Sequence, residues 1–168
     1  EVSECGLACL AMALGYYGRS ESLFDLRKKS VGAANGLNLH QLIQCANNFD
    51  LSGRALQLEM EHVKKLQLPC ILHWDMNHFV VLKQVDNKFA TIHDPAVGVR
   101  KLSLKEFSKH FTGIALELTP SSGFKKQVAK TQLKLSQLWS NVVGLKSSLA
   151  RVVLLSIVLQ VLALASPY

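Results

Sequence analysis

Pro69-Cys70-Ile-Leu-His73-Trp74-Asp75-Met-Asn77-His78-Phe-Val-Val-Leu-Lys83-Gln-Val-Asp86-Asn87-Lys88-Phe-Ala-Thr-Ile-His93-Asp94-Pro95-Ala-Val-Gly98-Val99-Arg-Lys-Leu102 decides the fold class. Four short runs rich in β-branched and aromatic residues, 70–74, 78–83, 88–93 and 99–102, are cut apart by Asp75-Met-Asn77, Asp86-Asn87 and Asp94 to Gly98. Such runs between turn-forming residues read as strands joined by hairpins. Just upstream, Arg54, Leu56 and Leu58 alternate with Ala55 and Gln57 as in a strand, and Glu59 to Leu66 reads as a short helix stopped by Pro69. Downstream, Ser103-Leu-Lys-Glu106 is a capping box for a helix to about His110, and Ile114 to Leu118 reads as a last strand.

The first fifty residues have a different period. In Glu1-Val-Ser3-Glu4-Cys5-Gly6-Leu-Ala-Cys9-Leu10-Ala-Met-Ala-Leu14, Leu7, Leu10, Ala11 and Leu14 share one helical face, Ser3 serves as N-cap, and Gly15-Tyr-Tyr-Gly18 ends the helix. Ser20 or Ser22 opens a second helix with Leu23, Phe24 and Leu26 apolar, closing on Arg27-Lys28-Lys29, cations suited to a helix C-terminus. Gly32 to Gly36 is a turn. Asn38-Leu-His-Gln41 then caps a third helix with Leu39, Leu42, Ile43 and Ala46 inward. Helices first and an antiparallel sheet second make the class α+β.

At 168 residues the chain suffices for one domain with a core plus an appendage. Cysteines 5, 9, 45 and 70 form no C-x-x-C pair and no zinc-spaced cluster with histidine, which implies a reducing, cytosolic setting and no metal. With no start methionine and no cleavage site, Glu1 reads as a boundary within a longer protein. The net charge of +7 raises the question of nucleic acid, but residues 1–123 carry 13 basic against 12 acidic side chains. The excess lies in Lys125, Lys126, Lys130, Lys134, Lys146 and Arg151. Val152 to Tyr168 is then without charge, short of the roughly 20 residues a spanning helix needs, with basic residues on its near side as at the cytoplasmic end of a membrane span. The expected organisation is a folded α+β domain over 1–119, a basic linker and juxtamembrane elbow helix over 120–151, and the start of a first transmembrane helix over 152–168. The charge points to a membrane partner and to no nucleic acid. A buried core helix is the alternative for the apolar tail.

Cys5 sits at the mouth of the first helix, where unpaired N–H groups and the positive dipole end favour a thiolate. Gly6 beside it would leave room for a substrate. Cys9, one turn on, reads as core. A cysteine near an apolar helix is as a rule a small buried hydrophobe, so Cys5 needs partners. If Asp86-Asn87 is a two-residue hairpin turn, His78 lies opposite residues near Pro95, and Asp94 comes beside it. A Cys at a helix N-terminus with an Asp-His pair at the rim of a sheet is papain-like geometry. His73 and His93 compete for the base, although His93 shares Asp94's strand and would point the other way. Asn77 is either a turn residue or a substrate contact, and Trp74 a candidate for lining the substrate groove.

In order along the chain, Glu4-Cys5-Gly6-Leu-Ala-Cys9-Leu-Ala-Met, Tyr16-Tyr-Gly18, Pro69-Cys-Ile-Leu-His-Trp74, Asn77-His78-Phe-Val-Val-Leu and His93-Asp94-Pro95-Ala resemble the cysteine-peptidase domain of bacteriocin-processing ABC exporters of the colicin V (microcin) type. The resemblance covers residues 1 to about 119, and the tail from Leu145 resembles the elbow and first transmembrane helix that follow in such exporters. It implies a papain-like fold with catalytic residues matching Cys5, His78 and Asp94. It also implies cleavage of a leader peptide after a Gly-Gly type site at the cytoplasmic face of the bacterial inner membrane. No cofactor is expected for the peptidase domain; ATP and Mg belong to a nucleotide-binding domain outside this chain, and the whole exporter is expected to be a homodimer. The family's oxyanion glutamine precedes the cysteine by six residues and so falls ahead of Glu1. A related toxin-exporter group keeps the domain without the cysteine, to dock cargo, and acyl transfer to an amine is a third reading.

Overall fold

The computed structural model describes residues 4–30, 36–127 and 145–165, and the chain divides into two units, 1–129 and 130–168. In the first, α1 (Cys5–Tyr16), α2 (Leu23–Lys29) and α3 (Leu39–Asn47) precede β1 (Leu51–Gln57) and a 3-10 helix (Met60–Lys65). Then come β2 (Cys70–Trp74), β3 (His78–Val85), β4 (Phe89–Asp94), β5 (Gly98–Ser103), α4 (Leu104–His110) and β6 (Phe111–Pro120). The strands form one sheet in the order β1-β6-β2-β3-β4-β5, with every neighbouring pair antiparallel. The expected α+β class holds.

Local chemistry sets the helix starts. The Ser22 hydroxyl accepts from the Asp25 N–H, and Asn38 and Gln41 each accept from the other's backbone N–H in a reciprocal box. Ser103 accepts from the Glu106 N–H; the Glu106 carboxylate turns instead to Lys109 and His110, so that box is half formed. Ser3, expected to cap α1, lies outside the described residues. Glu4 takes the cap position without a side-chain capping bond; its carboxylate pairs with Arg27 at 2.6 Å, tying the start of α1 to the end of α2. As expected, α1 ends within Gly15-Tyr-Tyr-Gly18: its last residue is Tyr16, and Gly18, at φ +88°, turns the chain. That φ favours glycine.

Period-two alternation divides the core between the two faces of the sheet. Ile71, Phe79, Val81, Leu116 and Leu118 pack with Leu7, Leu10 and Leu14 of α1 and Leu42 and Ala46 of α3. Leu72, Trp74, Val80, Leu82, Ala90, Ile92 and Ala115 pack with Phe107 of α4. Trp74 is 1% exposed, edge-on to Phe107 at 5.2 Å and stacked on His110 at 5.3 Å. Truncating a buried ring of this size removes its transfer energy and leaves a cavity, so Trp74→Ala should cost about 3–5 kcal/mol in urea unfolding.

The β3–β4 hairpin departs from its expected register. The Asp86 carboxylate accepts from the N–H groups of Lys88 and Phe89, and the Asp86 N–H donates to the Phe89 carbonyl, so the two turn residues are Asn87 and Lys88. A bulge between Leu82 and Gln84 then shifts the pairing back by one residue, bringing Leu82 opposite Ile92 and Val81 opposite His93. Continued one residue, that pairing sets Asp94 across from Val80, on the same face as His78.

Residues beyond 119 still belong to the first unit. Ser20 N–H donates to the Gln127 carbonyl and Gln127 N–H to Gly18, and Phe124 packs edge-on to Tyr17. Most of the expected basic linker, residues 128–144, lies outside the described residues. In the second unit α5 spans Leu145–Ala165. Among the described residues no helix is long and apolar enough to cross a membrane, so the expected transmembrane start is not shown.

Candidate active site

Cys5 is the first residue of α1, His78 the first of β3 and Asp94 the last of β4. α1 packs across β3, which brings its N-terminus to the end of the sheet where β3 begins and β4 ends. There a cavity of about 600 Å³ is lined by Cys5, His78 and Asp94 together with Leu23, Val97 and Arg100. His78 Nε2 stands 2.8 Å from Asp94 Oδ1, and the same oxygen accepts from the Ala96 N–H at 2.9 Å. Burial pushes the Asp94 carboxyl up, but the bonds from His78 and from the Ala96 and Val97 N–H groups outweigh it and hold it below the ordinary carboxylate value. An ionised Asp94 can only accept, so Nε2 carries a proton. Nδ1 is then the ring nitrogen that can serve Cys5.

The other three cysteines are core. Cys9 donates its thiol to the Phe79 carbonyl at 3.3 Å, and burial pushes its pKa well up. Cys70 is pushed up to about 12 by burial and the nearby Glu117. Cys45, raised by burial, lies 2.9 Å from Ser30 Oγ. Cys5 lines the cavity that holds an imidazole–carboxylate pair.

Residues 1–123 match the model of the Peptidase C39 family. The chain belongs to that family. This C39 chain is 41% identical, over 99% of its length, to the colicin V secretion/processing ATP-binding protein CvaB of Escherichia coli. It is 42% identical over the same share to the probable microcin-H47 secretion/processing ATP-binding protein MchF of Escherichia coli. The chain spans 24% of each of those relatives. Among solved structures it is similar, at a TM-score of 0.68 and 41% identity over 72% of this chain and 87% of the other, to a double glycine motif protease from an AMS/PCAT transporter in complex with the leader peptide.

Around Cys5, His78 and Asp94 the remaining sequence candidates fall in different places. Asn77, in the β2–β3 turn, lines the cavity just described and also a second one of about 690 Å³, which Cys5 borders as well. Trp74 borders the first cavity but is almost wholly enclosed by Phe107 and His110, so it forms the wall behind the site. Gly6 lines neither cavity. It faces inward, where an added Cβ would meet Phe79 and Leu42 at 3.5 and 3.6 Å, so its small size serves the packing of α1 rather than access for a substrate. His93 pairs with Val81 and shares that residue's face, away from Asp94's. His73 belongs to the second cavity: the Thr112 hydroxyl donates to the His73 carbonyl at 3.1 Å, so its oxygen accepts from Nδ1–H at 2.9 Å. Sequence reading missed that second cavity, whose apolar lining of Leu37, Leu39, Phe79 and Ile114 comes from three separate parts of the chain. Among the described residues no three His, Cys, Asp or Glu side chains converge to hold a metal ion.

The turn that carries Asn77 is held from α4. Asp75 and Met76 have φ of +46° and +63°, a conformation disfavoured for side-chain-bearing residues. The Asp75 N–H donates to the His110 carbonyl at 3.0 Å, and the Asp75 carboxylate pairs with His110 Nδ1 at 2.7 Å while Glu106 stands 3.4 Å from Nε2. The bond to Asp75 is the main cause of the raised His110 pKa. A group whose folded pKa is raised stabilises most below its unfolded pKa, near 6.5, and its contribution fades as pH rises through the folded value. Urea unfolding from pH 6 to 9 should show stability falling with pH, and the difference between wild type and His110→Gln should shrink across the same window.

Proposed function

We propose that this C39 domain is a leader-specific cysteine endopeptidase, with Cys5 as nucleophile, His78 as acid–base and Asp94 orienting it. It would act at the cytoplasmic face of a bacterial inner membrane as part of an ABC exporter, cutting a secreted precursor after a Gly-Gly type site. The observation that carries this reading is the shared cavity of Cys5 and the His78–Asp94 pair, in a chain of a peptidase family. His78 Nδ1 takes the Cys5 proton, and the sulfur attacks the carbonyl carbon of the second glycine. Negative charge then develops on the carbonyl oxygen, where the Cys5 backbone N–H at the start of α1 is a donor. The imidazolium, held by Asp94, passes its proton to the leaving amine. Water, deprotonated by His78, then attacks the thioester carbonyl; the carbon–sulfur bond breaks and the leader leaves with a free carboxylate.

Two glycines at the cut suit a narrow cleft that closes on backbone and excludes bulkier residues. Specificity then comes from the leader. The apolar cavity bounded by Leu37, Leu39, Phe79 and Ile114 offers a groove for apolar residues of a leader helix. That the related double glycine motif protease was solved with a leader peptide supports the same use here. The basic stretch and α5 fit the start of a membrane-embedded exporter, whose ATP and Mg would be bound by a further domain and whose assembly would be a homodimer.

The test is mass spectrometry of a Gly-Gly leader precursor incubated with this chain, with a version extended upstream of Glu1, and with Cys5→Ala. A cut after the second glycine that vanishes in Cys5→Ala is the expected result. Leader binding without a cut in any of the three would leave a docking domain and overturn the peptidase.

A further inference from the structure

The cavity on the His78 side contains a charge that no side chain among the described residues answers. Its lining includes three acids and each has its own base: Glu4 pairs with Arg27 at 2.6 Å, Asp75 with His110 at 2.7 Å and Asp94 with His78 at 2.8 Å. Arg100 lines the same cavity, yet its half-buried side chain has no hydrogen bond or ion pair among the described residues. On β5 its backbone pairs with Ile92 of β4, which places it, by strand alternation, on the same face of the sheet as Asp94. A guanidinium with five donors in a fixed fork, held beside a reaction centre, is matched to a carboxylate.

The chemistry also says which part of the substrate meets it. His78 must protonate the leaving amine, so the residues released with that amine lie on the His78 side of Cys5, and the leader lies on the other. The cavity shared by Arg100 and His78 therefore receives the first residues after the cut. We propose that Arg100 selects an acidic side chain among the first three cargo residues following the cleavage site, seated against Leu23, Pro95 and Val97. This rests on the peptidase reading above. A charge-assisted, partly desolvated pair of this kind distinguishes acidic from neutral cargo by roughly five- to twentyfold.

Precursors carrying Asp, Asn or Lys at each of the first three positions after Gly-Gly test it, cleaved by the wild-type chain, Arg100→Gln and Arg100→Glu. The expected result is a five- to twentyfold higher kcat/KM for the Asp precursor over Asn at one position in the wild type. The ratio should collapse to about one in Arg100→Gln, and Arg100→Glu should favour Lys instead. A ratio near one in the wild type, or one that persists unchanged in both variants, overturns the proposal. Fluorescence anisotropy of the same peptides on Cys5→Ala, with and without Arg100→Gln, separates the two readings. If the wild type cuts nothing, the peptidase fails, while tighter binding of Asp than Asn peptides that needs Arg100 keeps the acidic subsite. Binding indifferent to cargo charge sinks it.

Discussion

Cys5→Ala will lower leader cleavage by about 10⁴-fold or more, since the proposed mechanism makes every turnover pass through a bond to this sulfur and the rest of the triad cannot act without it. What distinguishes the prediction from a general loss of fold is the behaviour of the other thiols. Cys9, Cys45 and Cys70 are buried, and the pKa of each is raised by that burial, so each stays a protonated, poor nucleophile at neutral pH. Cys45→Ala, which removes a sulfur next to Ser30 and far in sequence from the triad, should keep cleavage within a few-fold of wild type. Iodoacetamide should modify Cys5 first, and activity should fall in step with that single adduct by mass spectrometry. An active Cys5→Ala chain, or inactivation that tracks another cysteine, would remove Cys5 from the nucleophile's role. The effect must also appear in kcat more than in leader binding, because the apolar cavity proposed for the leader does not depend on the thiol.

How much of this site was legible in the sequence depends on how local its causes are. The caps at Ser22 and at Asn38 with Gln41 follow from side chains meeting backbone within three residues, and these were readable. So were the limits of β2, because Pro69 and Asp75 bound it. The partnership of His78 with Asp94 was reached through a hairpin register that the structure alters twice, by the turn at Asn87-Lys88 and the bulge before Gln84. Moving the turn by one residue leaves the faces unchanged, and the bulge then flips them, so Asp94 falls across from Val80 and on His78's face, where the expected register would have set it across from Phe79. The turn itself carried a signal, as an Asp that accepts from the N–H groups two and three residues on belongs at the first position of a turn, not in its centre. The bulge had none, since nothing in Leu82-Lys83-Gln84 sets it apart from a regular strand. Gly6 was misread because its neighbours, Phe79 and Leu42, come from distant segments. The same holds for the second cavity, which exists only once the residues before α3 lie against β2, β3 and β6, and for Arg100, whose lack of a partner among the described residues shows only when the pairing of the acids around it is known.

Asp94→Ala will cost about 10³-fold in kcat, and Asp94→Asn much less, about 10- to 100-fold. The difference follows from which atom does the holding. Asp94 Oδ1 alone accepts both from His78 Nε2 at 2.8 Å and from the Ala96 N–H at 2.9 Å, and an asparagine carbonyl oxygen at that place can accept both. The amide then keeps Nε2 protonated and Nδ1 free for Cys5, so the tautomer is retained, unlike a site where the substituted amide would have to present its NH₂ to the ring. What asparagine loses is charge. The imidazolium that forms when Cys5 gives up its proton is no longer opposed by a carboxylate, and the ion pair is less populated. Alanine loses the charge and every bond the carboxylate accepts, from His78, Ala96 and Val97, freeing the ring and the turn after β4. The two variants should also differ in stability. The lowered Asp94 pKa means that the carboxylate contributes stability above the unfolded value near 3.8, which is lost as pH falls through the folded one. Asp94→Asn should flatten that acid limb in urea unfolding between pH 5 and pH 2, estimated from the ordinary carboxylate range. Steady-state cleavage of the Gly-Gly precursor decides the catalytic half: an Asn variant as damaged as the Ala variant would mean that negative charge, not ring orientation, is the whole of Asp94's contribution.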